Sequence, residues 1–345
     1  MRRRSFLILA AAMGTVEMAL SSSQKKPVGI GLLGASHPHA EGKLEVLRSS
    51  PDFSIVGVCE HEPKLRQTLK EQDITLLSRK DLLRHPEIQV IAVESPVRDH
   101  ATDGLAVLEA GKHLHLEKAP TDNMAAFQKI VELARKKDLL LQIGYMWRYN
   151  PGIPKAVEAA REGWLGSIYM VKATIGIQLA AGRRPELAEF AGGIMFELGG
   201  HLIDPLVRLM GRPRKVTPFL RKDGAFNDVL KDNTVAVLEW DRAIGFVQGS
   251  TLQPGFSRYR ALEIHGTNGC AIVNPLEPPA LTVDLATPTG PYPKGIQKID
   301  VPPYRRYVDD FAELAAAVRG ERKLRITYDE DLMVHEALLR CSGMF

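Results

Sequence analysis

Residues 27–147 alternate short, uninterrupted apolar runs with segments of helical pattern, a rhythm that few architectures accept. The runs are 28–33, 54–59, 90–93, 113–116 and 139–143. A strand that is apolar at every position must be covered on both faces, which predicts a parallel sheet clad in helices. The segment 99–111 carries helix punctuation between two such strands, with Gly111 placed to cap its C-terminus. After Asn150 the texture changes. A helix around 153–162 leads to a long strand pattern at 167–179, and a second helix starts at about Gly193. Strand-like runs follow at 233–240, 243–252, 259–265, 271–273 and 281–285, with Asp241-Arg242 as a hairpin turn between two of them. This half predicts a mostly antiparallel sheet, closed off by helical patterns at 304–319 and 328–340. The fold class is α/β.

A length of 345 residues suits two domains that share an interface. Apolar residues at 45% and charged residues at 25% exclude disordered and fibrous classes. Arg2, Arg3 and Arg4 against Glu17 account for +2 of the formal charge of +4, leaving +2. The remaining chain has no basic cluster with interleaved aromatics, so nucleic acid is not an expected ligand. Cys59, Cys270 and Cys341 are odd in number and far apart, which implies no disulfide framework.

Arg2-Arg3-Arg4-Ser5-Phe6-Leu7 precedes a mostly apolar run from Phe6 to Val16, too short to span a bilayer but suited to a signal peptide. The paired arginines read as a twin-arginine signal over residues 1–23, which predicts export of the folded protein to the periplasm and membrane contact only through that signal. The alternative is a cytoplasmic protein with a basic start.

The glycine cluster of the first strand offers two registers. Gly29-Ile30-Gly31-Leu32-Leu33-Gly34 matches G-x-G-x-x-G literally but leaves only Pro27 and Val28 as the strand before the turn. Placing Gly34 at the turn gives a full strand and the fingerprint Gly34-Ala35-Ser36-His37-Pro38-His39. Ser36 is small enough for a pyrophosphate to approach, Pro38 suits the first helical turn, and His37 or His39 is placed to donate to a phosphate oxygen at the helix N-terminus. Glu60 ends the second strand, where a carboxylate accepts from both ribose hydroxyls and repels a 2′-phosphate, favouring NAD over NADP. His61, Lys64 and Arg66 follow closely, so NADP stays open. The pairs His37-x-His39 and His113-x-His115 lack a third ligand at a recognisable spacing, so no metal is expected.

Three later segments carry more information. The first comprises Ser95-Pro96-Val97-Arg98-Asp99-His100, Ala110-Gly111-Lys112-His113 and Glu117-Lys118-Ala119-Pro120; the second is Gly144-Tyr145-Met146-Trp147-Arg148-Tyr149-Asn150-Pro151; the third runs from Gly192-Gly193 to Glu197-Leu198-Gly199-Gly200-His201-Leu202-Ile203-Asp204. In their order and separation they resemble the glucose–fructose oxidoreductase, inositol dehydrogenase and MocA (Gfo/Idh/MocA) family. The resemblance implies a Rossmann domain at 27–147 and an α/β substrate-binding and oligomerisation domain at 148–345 with a large, open, mostly antiparallel sheet. It places the family's Glu-Lys-Pro motif on Glu117 and Lys118, the lysine reaching the substrate hydroxyl beside the nicotinamide, with Ala119 where the family usually has proline. It places the family's catalytic histidine on His201, and puts Ser95, Pro96 and His100 beside the nicotinamide. Tyr145, Arg148 and Asn150 fall near the domain junction as substrate-side positions. Arg183 and Arg184, in the loop before Gly192, are candidates to meet an acidic substrate.

In a regular helix Glu197, His201 and Asp204 project from one face, and Pro205 predicts a kink or an end near the histidine. The expectation is therefore hydride transfer between a sugar or cyclitol hydroxyl and tightly bound NAD, with Lys118, His201, Glu197 and Asp204 as the reacting set. A glycoside hydrolase working through transient oxidation, or a non-catalytic sugar-binding or regulatory protein on the same fold, are the alternatives. A homo-oligomer formed through the C-terminal sheet is the expected assembly.

Overall fold

The computed structural model describes residues 25–345; the twin-arginine reading of residues 1–23 lies outside the described residues. Five parallel strands, β1 (Val28–Leu33), β2 (Phe53–Cys59), β3 (Val90–Val93), β4 (His113–Leu116) and β5 (Leu141–Ile143), form a sheet in the order β2-β1-β3-β4-β5. Helices α1 (Ala40–Ser49), α2 (Pro63–Glu71), α3 (Arg79–Arg84), α4 (His100–Glu109) and α5 (Met124–Lys137) fall between them. β1, β3 and β5 are buried along their whole length, as a doubly covered sheet requires. The predicted strands are all present, within two residues at each end.

The second half opens with α6 (Gly152–Arg161), followed by β6 (Ile168–Gly176), α7 (Arg184–Ala188), α8 (Gly200–Met210) and β7 (Lys215–Arg221). Then come β8 (Asn233–Glu239), β9 (Ile244–Ser250), β10 (Ala261–Gly266), β11 (Gly269–Val273), β12 (Leu281–Leu285) and β13 (Gly295–Ile299). They build an eight-stranded sheet in the order β13-β12-β11-β10-β6-β9-β8-β7, antiparallel except for the pair β6–β9. The Asp241-Arg242 hairpin is present, closed by the Trp240 amide on the Ala243 carbonyl at 2.9 Å. β7 and β13, which the sequence reading omitted, are the two edges; Pro218 is tolerated in β7 because an edge strand has a row of amides that need no partner. Alternate residues of β8 and β9 are buried, β9 against α8, while α6 covers β10 and β11, and the other face of β8 and β9 stays half-buried to exposed.

The last helices, α9 (Val308–Val318) and α10 (Tyr328–Cys341), return to the first sheet. Phe311 of α9 stacks on Phe53 at 5.7 Å and on His115 at 4.9 Å, while α10 lies between α5 and α8. They hold the parallel sheet and the second half in one body, with the carboxyl ends of the parallel strands facing α8.

Candidate active site at the carboxyl edge of the parallel sheet

The turn after β1 decides the glycine register. Gly34 sits at φ +82, and a Cβ there would stand 2.6 Å from the Ser95 amide, so only glycine lets this turn lie against the loop after β3. Gly29, the first glycine of the literal fingerprint, instead admits the backbone of Glu87, whose carbonyl oxygen a Cβ would meet at 1.8 Å. Glu60 lies beside the turn: its Oε2 accepts from the Ala35 amide at 2.6 Å, and its Oε1 from the His61 and Glu62 amides at 2.6 and 2.8 Å. Ser36 is exposed in front of α1. His37 is buried; its Nδ1 accepts from the His39 amide at 3.2 Å, which leaves Nε2 as a donor without a partner among the described residues. A phosphate oxygen held at this helix N-terminus would satisfy that donor, so the residues present fit a dinucleotide.

Beneath the turn lies a charge cluster that the sequence reading missed. The Lys43 ammonium, fully buried, donates to Glu94 Oε1 at 2.6 Å, to His115 Nε2 at 3.0 Å and to Glu117 Oε2. The Glu117 Oε1 faces His39 Nδ1 at 3.1 Å. Burial pushes the Glu94 carboxyl well above the usual carboxylate range, against the pull of Lys43. Burial acts the same way on Glu117, but there Lys43, His39 and His37 outweigh it and hold the group far below that range. The signal for Lys43 was available: it stands on the stripe of Ala40, Leu44 and Leu47, where α1 faces the sheet. The fold also supplies what the His37-x-His39 pair lacked in sequence, since Glu117 brings a third ligand-capable atom within 4.8 Å. The second such triad, Glu94, His115 and Glu117, encloses the Lys43 ammonium, so the cation it holds is the protein's own.

Lys118 projects from the end of β4 towards the second half. Its ammonium, on a side chain 2% exposed, donates to Glu197 Oε1 at 2.6 Å and to the Glu197 carbonyl at 3.1 Å. The Lys118–Ala119 peptide is cis. His100 stands between the Ala119 carbonyl at 2.8 Å and the Ser95 carbonyl at 2.9 Å, so it links the two loops that flank Lys118. Ser95 is itself fixed by its hydroxyl on Asp103 at 2.7 Å, and Pro96 follows it.

His201 lies in the first turn of α8, buried, with neither ring nitrogen bonded to any described residue. Trp147, His39 and Tyr145 surround it at ring separations of 5.2, 5.9 and 6.0 Å. Burial, followed by the repulsion of Lys118 and His39, holds its imidazole well below the ordinary histidine value, which favours the neutral ring with a lone pair open on one nitrogen. His201, His39, His37, Trp147, Glu197, Arg183, Arg260 and Arg306 line a cleft of about 220 Å³ between the two halves. A second cleft, of about 390 Å³, is lined by Arg148, Arg161 and Arg208 among others and holds none of Lys118, Glu197 and His201.

Four expected site residues stand elsewhere. Asp204 is turned inwards: its Oδ1 accepts from Nε and Nη2 of Arg148 at 2.9 and 2.7 Å, and Arg208 faces its Oδ2 at 3.3 Å. Arg148 also donates to Asp331 at 2.6 Å, a structural tie between α8 and α10. Asn150 is spent on the Leu276 carbonyl and the Gly152 amide. Tyr145 is buried behind His201, under the guanidinium of Arg148 at 4.9 Å. The separation of Asp204 from Glu197 has a local cause. Pro205 neither ends nor interrupts α8; residues 195–199 ahead of it form a π turn. A wider turn advances less than the usual ~100° per residue, so Asp204 leaves the face that Glu197 begins. Of the two loop arginines, Arg183 lines the cleft, whereas Arg184 is buried on Asp228 and Asp232.

Comparison with known proteins matches both halves. Residues 28–145 match the GFO_IDH_MocA description "Oxidoreductase family, NAD-binding Rossmann fold", and residues 153–272 match the "GFO/IDH/MocA C-terminal domain". An uncharacterised oxidoreductase of Bacillus subtilis, YrbE, is 24% identical over 76% of this chain and 78% of its own length. The myo-inositol 2-dehydrogenase of Thermotoga maritima is 25% identical over 53% of this chain and 54% of its own. Among solved structures, the aldose–aldose oxidoreductase of Caulobacter crescentus superposes with a TM-score of 0.78 at 18% identity, over 92% of this chain and 98% of that one.

Proposed function

The chain belongs to the Gfo/Idh/MocA family of NAD(P)-dependent oxidoreductases, and from that premise we propose that it transfers hydride between a secondary hydroxyl of a sugar or cyclitol and NAD, leaving a ketone or lactone. The observation that carries this reading is that Glu197 and His201, whose ring nitrogens have no partner among the described residues, line one cleft, with Lys118 from the parallel sheet bonded to Glu197 just behind its wall. Bound nicotinamide supplies the carbon that takes up the hydride. His201 accepts the hydroxyl proton at a ring nitrogen. The Lys118 ammonium turns from Glu197 towards the substrate oxygen and stabilises the negative charge that builds there. Trp147 and the loop after β3 exclude water. Glu60 supports NAD over NADP, because a 2′-phosphate beside its carboxylate would be repelled.

The twin-arginine reading of residues 1–23 adds that the enzyme is exported with its cofactor tightly held. Exposed Phe219, Ile244 and Ile296 on the sheet support assembly into a homo-oligomer through this face. The test is to incubate the purified protein with aldoses, cyclitols and glycosides while following the absorbance of reduced nicotinamide. Reduction by a polyol is the expected outcome. No reduction by any of them, with NAD demonstrably bound, would sink the proposal, and release of free sugar without lasting reduction would move it to redox-assisted hydrolysis.

A further inference from the structure

Two arginines of the cleft compete for one carboxylate. Arg306 takes both oxygens of Glu277 in a bidentate pair. Arg260 reaches the same Glu277 only at 3.7 Å, and its one hydrogen bond runs from Nε to the Gly176 carbonyl at 3.1 Å. Its side chain is 11% exposed, with the guanidinium 4.7 Å from the Phe256 ring and 5.6 Å from the Trp147 ring. Burial, with Arg306 also near, lowers its pKa to about 10, as expected of a cation short of counter-charge. The remaining lining charges are matched: Glu197 holds Lys118, and Glu186 faces Arg183 at 3.4 Å. Trp147 adds a second donor, since its Nε1 is buried without a partner among the described residues.

Resting on the polyol reading above, we infer that the substrate is an acidic sugar, a uronic or aldonic acid whose carboxylate pairs with Arg260 while one of its hydroxyls faces His201. Both ends fit the Trp147 wall, because the indole stands between them, 5.2 Å from His201 and 5.6 Å from the Arg260 guanidinium. Groups that only donate call for a ligand part that only accepts, and a planar carboxylate matches the guanidinium fork. A single surplus charge suits a carboxylate rather than a phosphate dianion, and a cleft of about 220 Å³ has room for a monosaccharide.

The experiment uses the NAD-loaded protein with glucuronate, galacturonate and gluconate set against glucose, galactose and glucose 6-phosphate. Binding is read by calorimetry and tryptophan fluorescence, and turnover by reduced nicotinamide. A carboxylate sugar should bind about a hundredfold more tightly than its neutral counterpart, the advantage shrinking with added salt and vanishing in Arg260→Gln but surviving in part in Arg260→Lys. Equal binding or turnover of neutral sugars, or tighter binding of glucose 6-phosphate, overturns the acid assignment and leaves the polyol reading standing. Should carboxylate sugars bind through Arg260 without any sugar being oxidised, the polyol reading fails and the anion site stands. The salt series on the unmodified protein decides the matter if the variants do not fold.

Discussion

Two buried ion clusters, similar in size, lie on either side of His201 and differ in how their charges close. Around Arg148, two guanidiniums face two carboxylates: Arg148 and Arg208 against Asp204 and Asp331. Charge balances, and the cluster ties α8 to α10. Around Lys43, one ammonium faces Glu94 and Glu117, and the neighbouring histidines are neutral because burial depresses them. That cluster balances only with a proton on Glu94, whose carboxyl burial raises to about 8; it leaves Glu94 Oε2 and His37 Nε2 without partners among the described residues and reaches the cleft through His39. The first network closes on protein charges and supports the fold, with only Arg208 Nε lacking a hydrogen-bond partner among the described residues, whereas the second keeps open positions beside the cleft.

The sharpest way to break this contrast is Arg148→Met. Removing the cation strands two buried carboxylates and should cost about 3–5 kcal/mol in denaturant unfolding; a loss below about 1 kcal/mol would remove the structural role assigned here. His201→Ala and Lys118→Ala should each lower turnover by about 10²–10⁴-fold while NAD binding and the unfolding midpoint change little. Either variant retaining full activity contradicts the site. Asp204→Asn comes next, with a stability loss of about 1–3 kcal/mol and turnover within a few-fold of the parent. The reverse, a stable protein with collapsed turnover, would return Asp204 to the reacting set.

Smallest is a pH effect that separates the two clusters. His37, His39 and His115, the histidines of the Lys43 cluster, have folded values below their ordinary 6.5, so below that pH the unfolded chain binds more protons and stability drains away as acid is added. Glu94 and Asp310, raised by burial to about 8 and about 7, run the other way and favour the folded protein in acid, while the lowered Glu117 sides with the histidines. Hydrogen exchange at pH 5 should therefore expose α1 and β4 before α8, and uniform exchange would erase the distinction.

How much of this was legible in the sequence follows from which forces write locally. Mostly apolar runs marked every strand of the parallel sheet because burial on both faces leaves few polar positions, such as His115 and Gln142, which bond each other. The alternating runs gave the middle of the large sheet but not β7 and β13, whose edge positions bury one side poorly and admit Pro218 and a glycine start. Gly34 was found because the length of β1 constrains the turn. Lys43 was passed over because a lysine on an apolar stripe has meaning only once Glu94 and Glu117, 51 and 74 residues away, arrive beside it. Asp204 was misplaced because helical periodicity was assumed regular through 195–199. The fold thus came from patterns of neighbours, and the site failed to do so wherever partners were distant or the helix departed from its period.

That departure carries a consequence for reading relatives. A π turn is an α-helix with one surplus residue, lodged where helix and function meet. In a homologue lacking it, the same string of polar residues would sit on different sides of the helix even if every letter agreed. Chain length across 195–199, as much as residue identity, decides which face of the following helix the glutamate shares.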